Sequence, residues 1–292
     1  MSTQPAPPPG HIPPLLAGLL DDAAVFPPGN ASLPDAVSAH HAHRRAWYAP
    51  LVGVLVLPAS ALPEAAGLLD EDQRLDVGAV GDAGLDALGA AIDEAGPGLR
   101  VRQVELSVAK RGEDPQPGLR RLLARLGGWP SLTGYAEIPL TWGLLGALDA
   151  VAGARADGLD IAPKFRAGGL AAELFPTPVE LAAVICACRD RGLPFKLTAG
   201  LHHAVRHTDQ ETGLVHHGFL NVLVATALAV DGAEVADVAE VLAGTDPAPL
   251  VDAGRLHWSR PRPLWVGFGS CSVLEPLTDL VRLGLVDAGY EG

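Results

Sequence analysis

The sequence predicts an α/β fold: a single-domain (β/α)8 TIM barrel with an extended segment between its seventh and eighth strands. Three observations carry this reading. Eight strand-like runs alternate with stretches whose apolar residues recur every three or four positions, in a chain of 292 residues, an ordinary length for one barrel. In the later runs the polar residues fall on alternate positions, so each run has one face that can look into a barrel. No GxGxxG follows the first run, which places an open dinucleotide-binding sheet second to the closed barrel.

In chain order the runs are DDAAVFPP (21–28), APLVGVLVLP (49–58), RLDVGAVG (74–81), LRVRQVELSV (99–108), TGYAEIPL (133–140), LDIAPKFRAG (159–168), LPFKLTAG (193–200) and PLWVGFGS (263–270). Helical spacing marks 32–46, 82–96, 117–127, 177–192 and 272–285 between them. The interval 202–263 is too long for one crossover. It holds DQETG, the apolar stretch HGFLNVLVATALAV and a second helix, EVADVAEVLAG, and is expected to add structure over one end of the barrel. Residues 1–14, dense in proline, are expected as a poorly ordered leader, with the barrel domain over 15–292.

Composition narrows the function classes. Hydrophobic residues are 48% and charged residues 19%, enough for a large core. No apolar run reaches the roughly 18 residues of a membrane span, and no secretory leader pattern is present. A cytoplasmic protein without membrane contact is the expectation. A net charge of −13 argues against nucleic acid as partner but leaves room for a basic pocket and a small anionic substrate. A homodimer is compatible with an acidic barrel, though no pattern marks an interface. Cys186, Cys188 and Cys271 do not form a disulfide framework.

Only three of the 21 basic residues are lysines: Lys110, Lys164 and Lys196. Two of them lie inside strand-like runs, where a charge is costly unless paired or neutralised. Read by alternation, Gln103, Glu105 and Ser107 face the barrel axis from strand four, Tyr135 and Glu137 from strand five, Lys164 and Arg166 from strand six, and Lys196 and Thr198 from strand seven. Phe165, Phe195 and Leu197 face outward. The GFGSCS exit of strand eight offers backbone N–H groups to an anion. Two lysines and two glutamates thus converge. A lysine whose pKa is lowered by burial and by the second cation could attack a carbonyl as a free amine. Glu105, Glu137 and the other lysine would move protons. The alternative is that Glu105–Lys164 and Glu137–Lys196 are paired charges filling the barrel.

LDIAPKFRAGG, then PFKLTAG with its lysine 32 residues further on, then GFGSCS before a short last helix, resemble the deoxyribose-phosphate aldolase family of class I aldolases. The resemblance covers about residues 159–200 and 263–290, with VLVLP at Pro58 similar to that family's second strand, and it is absent from 201–262. It implies Lys164 as the Schiff-base lysine, Lys196 as its activating partner and Glu105 in place of a strand-four aspartate. It also implies phosphate contacts near Gly200, Gly269, Ser270 and Ser272, with Tyr290 as a tail proton donor. Phe165 and Arg166 stand where that family has small hydroxyl residues.

Five histidines, His202, His203, His207, His216 and His217, follow strand seven. Three readings stand side by side: acid/base and substrate groups (His202, His203), a divalent metal site (His203, His207, His216, His217), or a polar loop. The i, i+4 spacing of His203 and His207 would align them on a helix. Arg166 and Arg206 could hold a carboxylate or phosphate. Asp21 and Asp22 could line the strand-end pocket and orient a lysine or a metal, or be a cap or loop pair. His40, His41 and His43 read as a solvated helix face. The expectation is therefore a lyase of the class I aldolase kind, without a cofactor, acting on a small carbonyl substrate that bears a phosphate or carboxylate. A metal-dependent hydrolase or lyase is the alternative, and a non-catalytic anion-binding barrel is the third reading.

Overall fold

The computed structural model describes residues 11–288. The eight runs become eight parallel strands that close into a barrel. These are β1 (Leu20–Asp22), β2 (Val52–Pro58), β3 (Leu75–Val80), β4 (Leu99–Ser107), β5 (Thr133–Glu137), β6 (Ile161–Arg166), β7 (Phe195–Thr198) and, last in the chain, β10 (Trp265–Ser270). Neighbours follow chain order, and β10 closes the ring between β7 and β1. Two short antiparallel strands, β8 (His207–Thr208) and β9 (Val215–His216), form a separate hairpin.

The first run is much shorter than its sequence suggests. After Asp22 the chain turns, with Phe26 N donating to Ala23 O, and Pro27 and Pro28 have no N–H to offer a ladder. Elsewhere the apolar positions do what the alternation predicts. Phe165 and Phe195 leave adjacent strands on the same outward face, fully buried under helices with ring centroids 6.4 Å apart.

The helices are α1 (Leu33–His43), α2 (Leu62–Gly67), α3 (Leu85–Asp93), α4 (Pro115–Leu126), α5 (Leu144–Ala156), α6 (Pro178–Asp190), α7 (Phe219–Val230), α8 (Val235–Ala243), α9 (Pro247–His257) and α10 (Leu274–Arg282). Their starts are written locally. Ser32 and Asp114 accept hydrogen bonds from the first-turn amides of α1 and α4, and Thr177 with Glu180 forms a capping box on α6.

The extended segment covers one end of the barrel only in part. α7 is apolar on all sides because it is buried on all sides. Phe219 stacks on Phe268 of β10, while α8 and α9 pack over its outer surface. Residues 219–257 therefore thicken the helical layer, and only the loop and hairpin of 201–216 stay at the barrel mouth, after β7. The leader also ends sooner than expected. Ile12, Leu15 and Leu16 are buried in the core, and the Arg262 guanidinium donates to Leu15 O and Ala17 O beneath the barrel. Residues 1–10 lie outside the described part. Among the described residues, no helix is long and apolar enough to cross a membrane.

Candidate active site

Parallel register sets the interior. Glu137 lies opposite Lys164, and Lys164 lies opposite Lys196, so three charged side chains from β5, β6 and β7 share one level of the barrel. Glu105 enters from β4 and Asp21 from β1, across the barrel. The Lys164 ammonium donates to Glu105 Oε2 at 2.6 Å and stands 3.0 Å from Glu137 Oε2. The Lys196 ammonium donates to Glu105 Oε1 at 2.6 Å and to Asp21 Oδ2. Arg166 donates to Glu137 Oε1 at 3.0 Å.

The six groups form one line of alternating sign, Asp21–Lys196–Glu105–Lys164–Glu137–Arg166, that runs from the barrel interior to its mouth. The Asp21 side chain is 12% exposed, and from Lys196 onward exposure rises along the line: 3% at Lys196, 4% at Glu105, 5% at Lys164, 17% at Glu137 and 43% at Arg166. Gln103 completes the inner end, donating to Asp21 Oδ2 at 2.8 Å and to Glu105 Oε1 at 3.1 Å. Val54 N donates to Asp21 Oδ1 at 3.1 Å. The Lys196 ammonium also lies 4.7 Å from the centre of the Tyr135 ring, whose hydroxyl burial pushes up to about 12.

Pairing decides the charge states. Burial alone would push the Glu105 carboxyl up, but the Lys164 and Lys196 ammonium groups outweigh it and hold it down at about 2. Glu137 is lowered in the same way, burial being overcome by Lys164 and Arg166. Burial would lower both lysines. Glu105 and Glu137 instead raise Lys164 above its ordinary value, and Asp21 and Glu105 raise Lys196. The expected free amine is thus corrected: with these partners both lysines are held as ammonium ions. The expected Glu137–Lys196 pair is also replaced: Lys196 is held by Asp21, and Glu137 turns to Lys164 and Arg166.

A cleft of about 480 Å³ opens at the outer end of this line, over the exits of β4, β5 and β6. Glu137 and Arg166 stand in its wall. Ser107, Lys110 and Arg111 line one side, while Ile138, Leu140, Leu174 and Phe175 make it partly apolar. The two inner lysines lie behind Glu137 and do not line it. Arg111 ties the two rims together by donating to Glu173 O at 2.8 Å. Sequence reading missed Lys110, Arg111 and the 173–176 loop. The scarcity of lysine was the available signal, since all three lysines lie toward this end of the barrel.

Several predicted residues stand apart from the network. Asp22 turns outward and pairs with His40 of α1 at 3.1 Å, both side chains buried. His40 is therefore no solvated face residue, and of the two aspartates expected at the strand-end pocket only Asp21 reaches a lysine. Gly200 shapes the mouth by backbone approach. Its φ is +76°, and a Cβ there would lie 2.9 Å from Ala167 O and from Gly168 Cα. Gly269, next to last in β10, lies opposite Thr198. Ser270 Oγ donates to Ser272 O at 2.7 Å, and Ser272 Oγ accepts from Glu275 N at 3.2 Å. The first turn of α10 thus carries a carboxylate of the chain itself where an anion cradle was expected.

The histidines pair elsewhere. His202 Nδ1 meets Glu275 Oε2 and His203 Nδ1 meets Asp279 Oδ2, each at 3.1 Å, so both face α10 rather than the lysines. His203 and His207 lie on a loop and a strand, not on a helix. Their rings meet edge to face at 4.6 Å, and His207 stacks on His216 at 5.3 Å. His217 is buried, with Nε2 on Pro176 O and Nδ1 beside Arg206, and Arg206 is not among the residues that line the cleft. Among the described residues, no group of three or more His, Cys, Asp or Glu side chains is placed to hold a metal ion. Tyr290 lies outside the described residues.

No protein-family model matches the chain, and none of the curated proteins matches it. The aldolase resemblance accordingly rests on the motifs of strands six to eight alone. The barrel itself is compatible with an enzyme of that kind.

Proposed function

We propose that the protein is a carbon–carbon lyase of the class I aldolase kind, with Lys164 as nucleophile and a small carbonyl substrate bearing a carboxylate or phosphate. The observation that carries this reading is the pair of carboxylates on the Lys164 ammonium, one buried (Glu105, 2.6 Å) and one facing the cleft (Glu137, 3.0 Å). An ammonium and a carbonyl condense to an iminium and water with no net change of charge. The two carboxylates that hold the Lys164 ammonium would therefore hold a cation of the same charge after condensation, a preorganised electrostatic fit.

In this scheme the Lys164 ammonium first passes a proton to Glu137, a shift from ion pair to neutral pair that a low-dielectric interior eases. Lys164 lies behind Glu137, so the scheme requires the Glu137 side chain to swing toward the cleft. The amine then attacks the carbonyl carbon, and the oxygen takes that proton back from Glu137. The resulting hydroxyl leaves as water with the proton that the nitrogen gives up through Glu105, and the iminium remains between the carboxylates. Glu137 then accepts the proton of a β-hydroxyl. The Cα–Cβ bond breaks, its electron pair neutralises the iminium as an enamine, and an aldehyde departs. Lys196 keeps Glu105 ionised, and Arg166 and Lys110 meet the substrate anion. The apolar side of the cleft suits a short carbon skeleton.

Full pairing of both lysines also supports a second reading, a barrel that holds an anion without reacting. Borohydride reduction in the presence of small aldehydes and ketones separates the two. The expected result is a mass adduct on the peptide carrying Lys164, absent from Lys164→Met. Anion binding without an adduct from any carbonyl would leave the second reading standing, and one equivalent of tightly bound divalent metal without an adduct would favour metal chemistry.

A further inference from the structure

A second basic cavity lies at the other end of the barrel. Its volume is about 320 Å³, and it opens among α1 and the N-terminal ends of β2, β3 and β4. Three guanidinium groups (Arg44, Arg74 and Arg100) and two imidazoles (His40 and His41) line it, against the single carboxylate of Asp76. In a chain of net charge −13 such a grouping needs a reason. Asp76 is already engaged by Arg100 at 2.7 Å and by Arg102 at 3.1 Å.

The other two arginines are fixed in place without being neutralised. Arg44 donates to Ala49 O and Val52 O, and Arg74 to Glu71 O and Gln73 O. Carbonyl oxygens orient a guanidinium while leaving its charge uncompensated. His41 adds an independent sign: its Nε2 is buried without a hydrogen-bond partner. His40 is backed by Asp22, which fixes its ring.

We infer that this cavity binds the phosphoryl group of a small phosphorylated molecule, held by Arg44, Arg74 and Arg100. Planar guanidinium groups match phosphate oxygens in pairs, which is the geometry of choice for such an anion. The site is separate from the cleft that holds Arg166. It also adjoins the charge network from behind, because the lining residue Val54 donates its N–H to Asp21.

The test is calorimetric titration of the full chain with inorganic phosphate, sodium chloride holding ionic strength constant. Saturable binding is expected at this cavity, weakened at least tenfold in Arg74→Gln/Arg100→Gln. Arg166→Gln, which strips the anion contact of the other cleft, removes only the phosphate bound there and leaves this event in place. Arg74→Gln alone serves if the double variant does not fold, since that side chain bonds only to its own turn, and a severalfold loss is then expected. Equal binding by wild type and the Arg74 variants would overturn the inference. So would binding lost only in Arg166→Gln, which would move the phosphate to the cleft, or heats that chloride alone reproduces.

Discussion

Asp21 and Lys196 meet across the barrel from positions 175 residues apart in the chain, and their contact anchors the inner end of the charge line. Both side chains are largely dry, so neither could be ionised there alone without a large desolvation cost. Each charge is tolerated because the next has the opposite sign. The buried part of the line, from Asp21 to Glu137, therefore behaves as one unit, and removal of any of those members is felt by the rest. The exposed Arg166 is coupled to it only weakly.

Stability should depend on pH from both ends of that unit. The Glu105 carboxyl is held at about 2 in the folded chain against an ordinary 4.5, so the folded state favours its ionised form. Its contribution is complete above pH 4.5 and is lost as pH falls toward 2, amounting to about 3 kcal/mol. The lysines act with the opposite sign: raised above their ordinary value, they add stability that is present below that value and lost as pH rises through the folded one. Urea denaturation across pH 2.5 to 7 is expected to show a steep acid loss. A curve flat below pH 5 would mean that Glu105 is not so paired.

Glu105→Gln should be among the most damaging conservative changes in the chain. The amide keeps the shape but leaves two buried ammonium groups facing one fewer negative charge, a loss of roughly 3–5 kcal/mol for a broken buried pair. The same change should remove most of the acid sensitivity. Denaturation midpoints of the two proteins at neutral pH measure the first effect and their pH profiles the second.

Much of this site was legible beforehand, for a definite reason. Alternation in β4 to β7 assigns one face to Gln103, Glu105, Tyr135, Glu137, Lys164 and Lys196, and the barrel can only bring such faces together. Leu20–Asp22 offers no such guide. Two adjacent aspartates must face opposite ways, and which one faces inward depends on the irregular register between β1 and β2. The histidines misled because their partners, Glu275 and Asp279, lie more than 70 residues further along. The cleft was missed because its walls are loops, whose meeting no local spacing encodes.

Gly53 gives a sharp packing test. A Cβ at this position would lie 2.0 Å from Asp21 Oδ1, so Gly53→Ala must displace the carboxylate that pairs with Lys196. A loss of about 1–3 kcal/mol is expected, as for other overpacked sites. The damage should not add to that of Asp21→Ala, because the second change removes the atom the methyl strikes. A double-mutant cycle in urea checks this; strict additivity would place the strain elsewhere.

Arg166→Gln should separate binding from stability. The guanidinium is 43% exposed, and a surface pair of this kind contributes about 1 kcal/mol at most, so the melting temperature should scarcely move. The cleft, however, loses the cation nearest Glu137. Borohydride trapping at Lys164 should fall tenfold or more for carbonyl compounds that carry a carboxylate or phosphate, a change of about 1.4 kcal/mol, and stay constant for neutral aldehydes. His202→Gln and His203→Gln, which alter pairs on α10, should leave both yields unchanged. Parallel losses for charged and neutral carbonyls would instead assign Arg166 to the support of Glu137 rather than to the substrate.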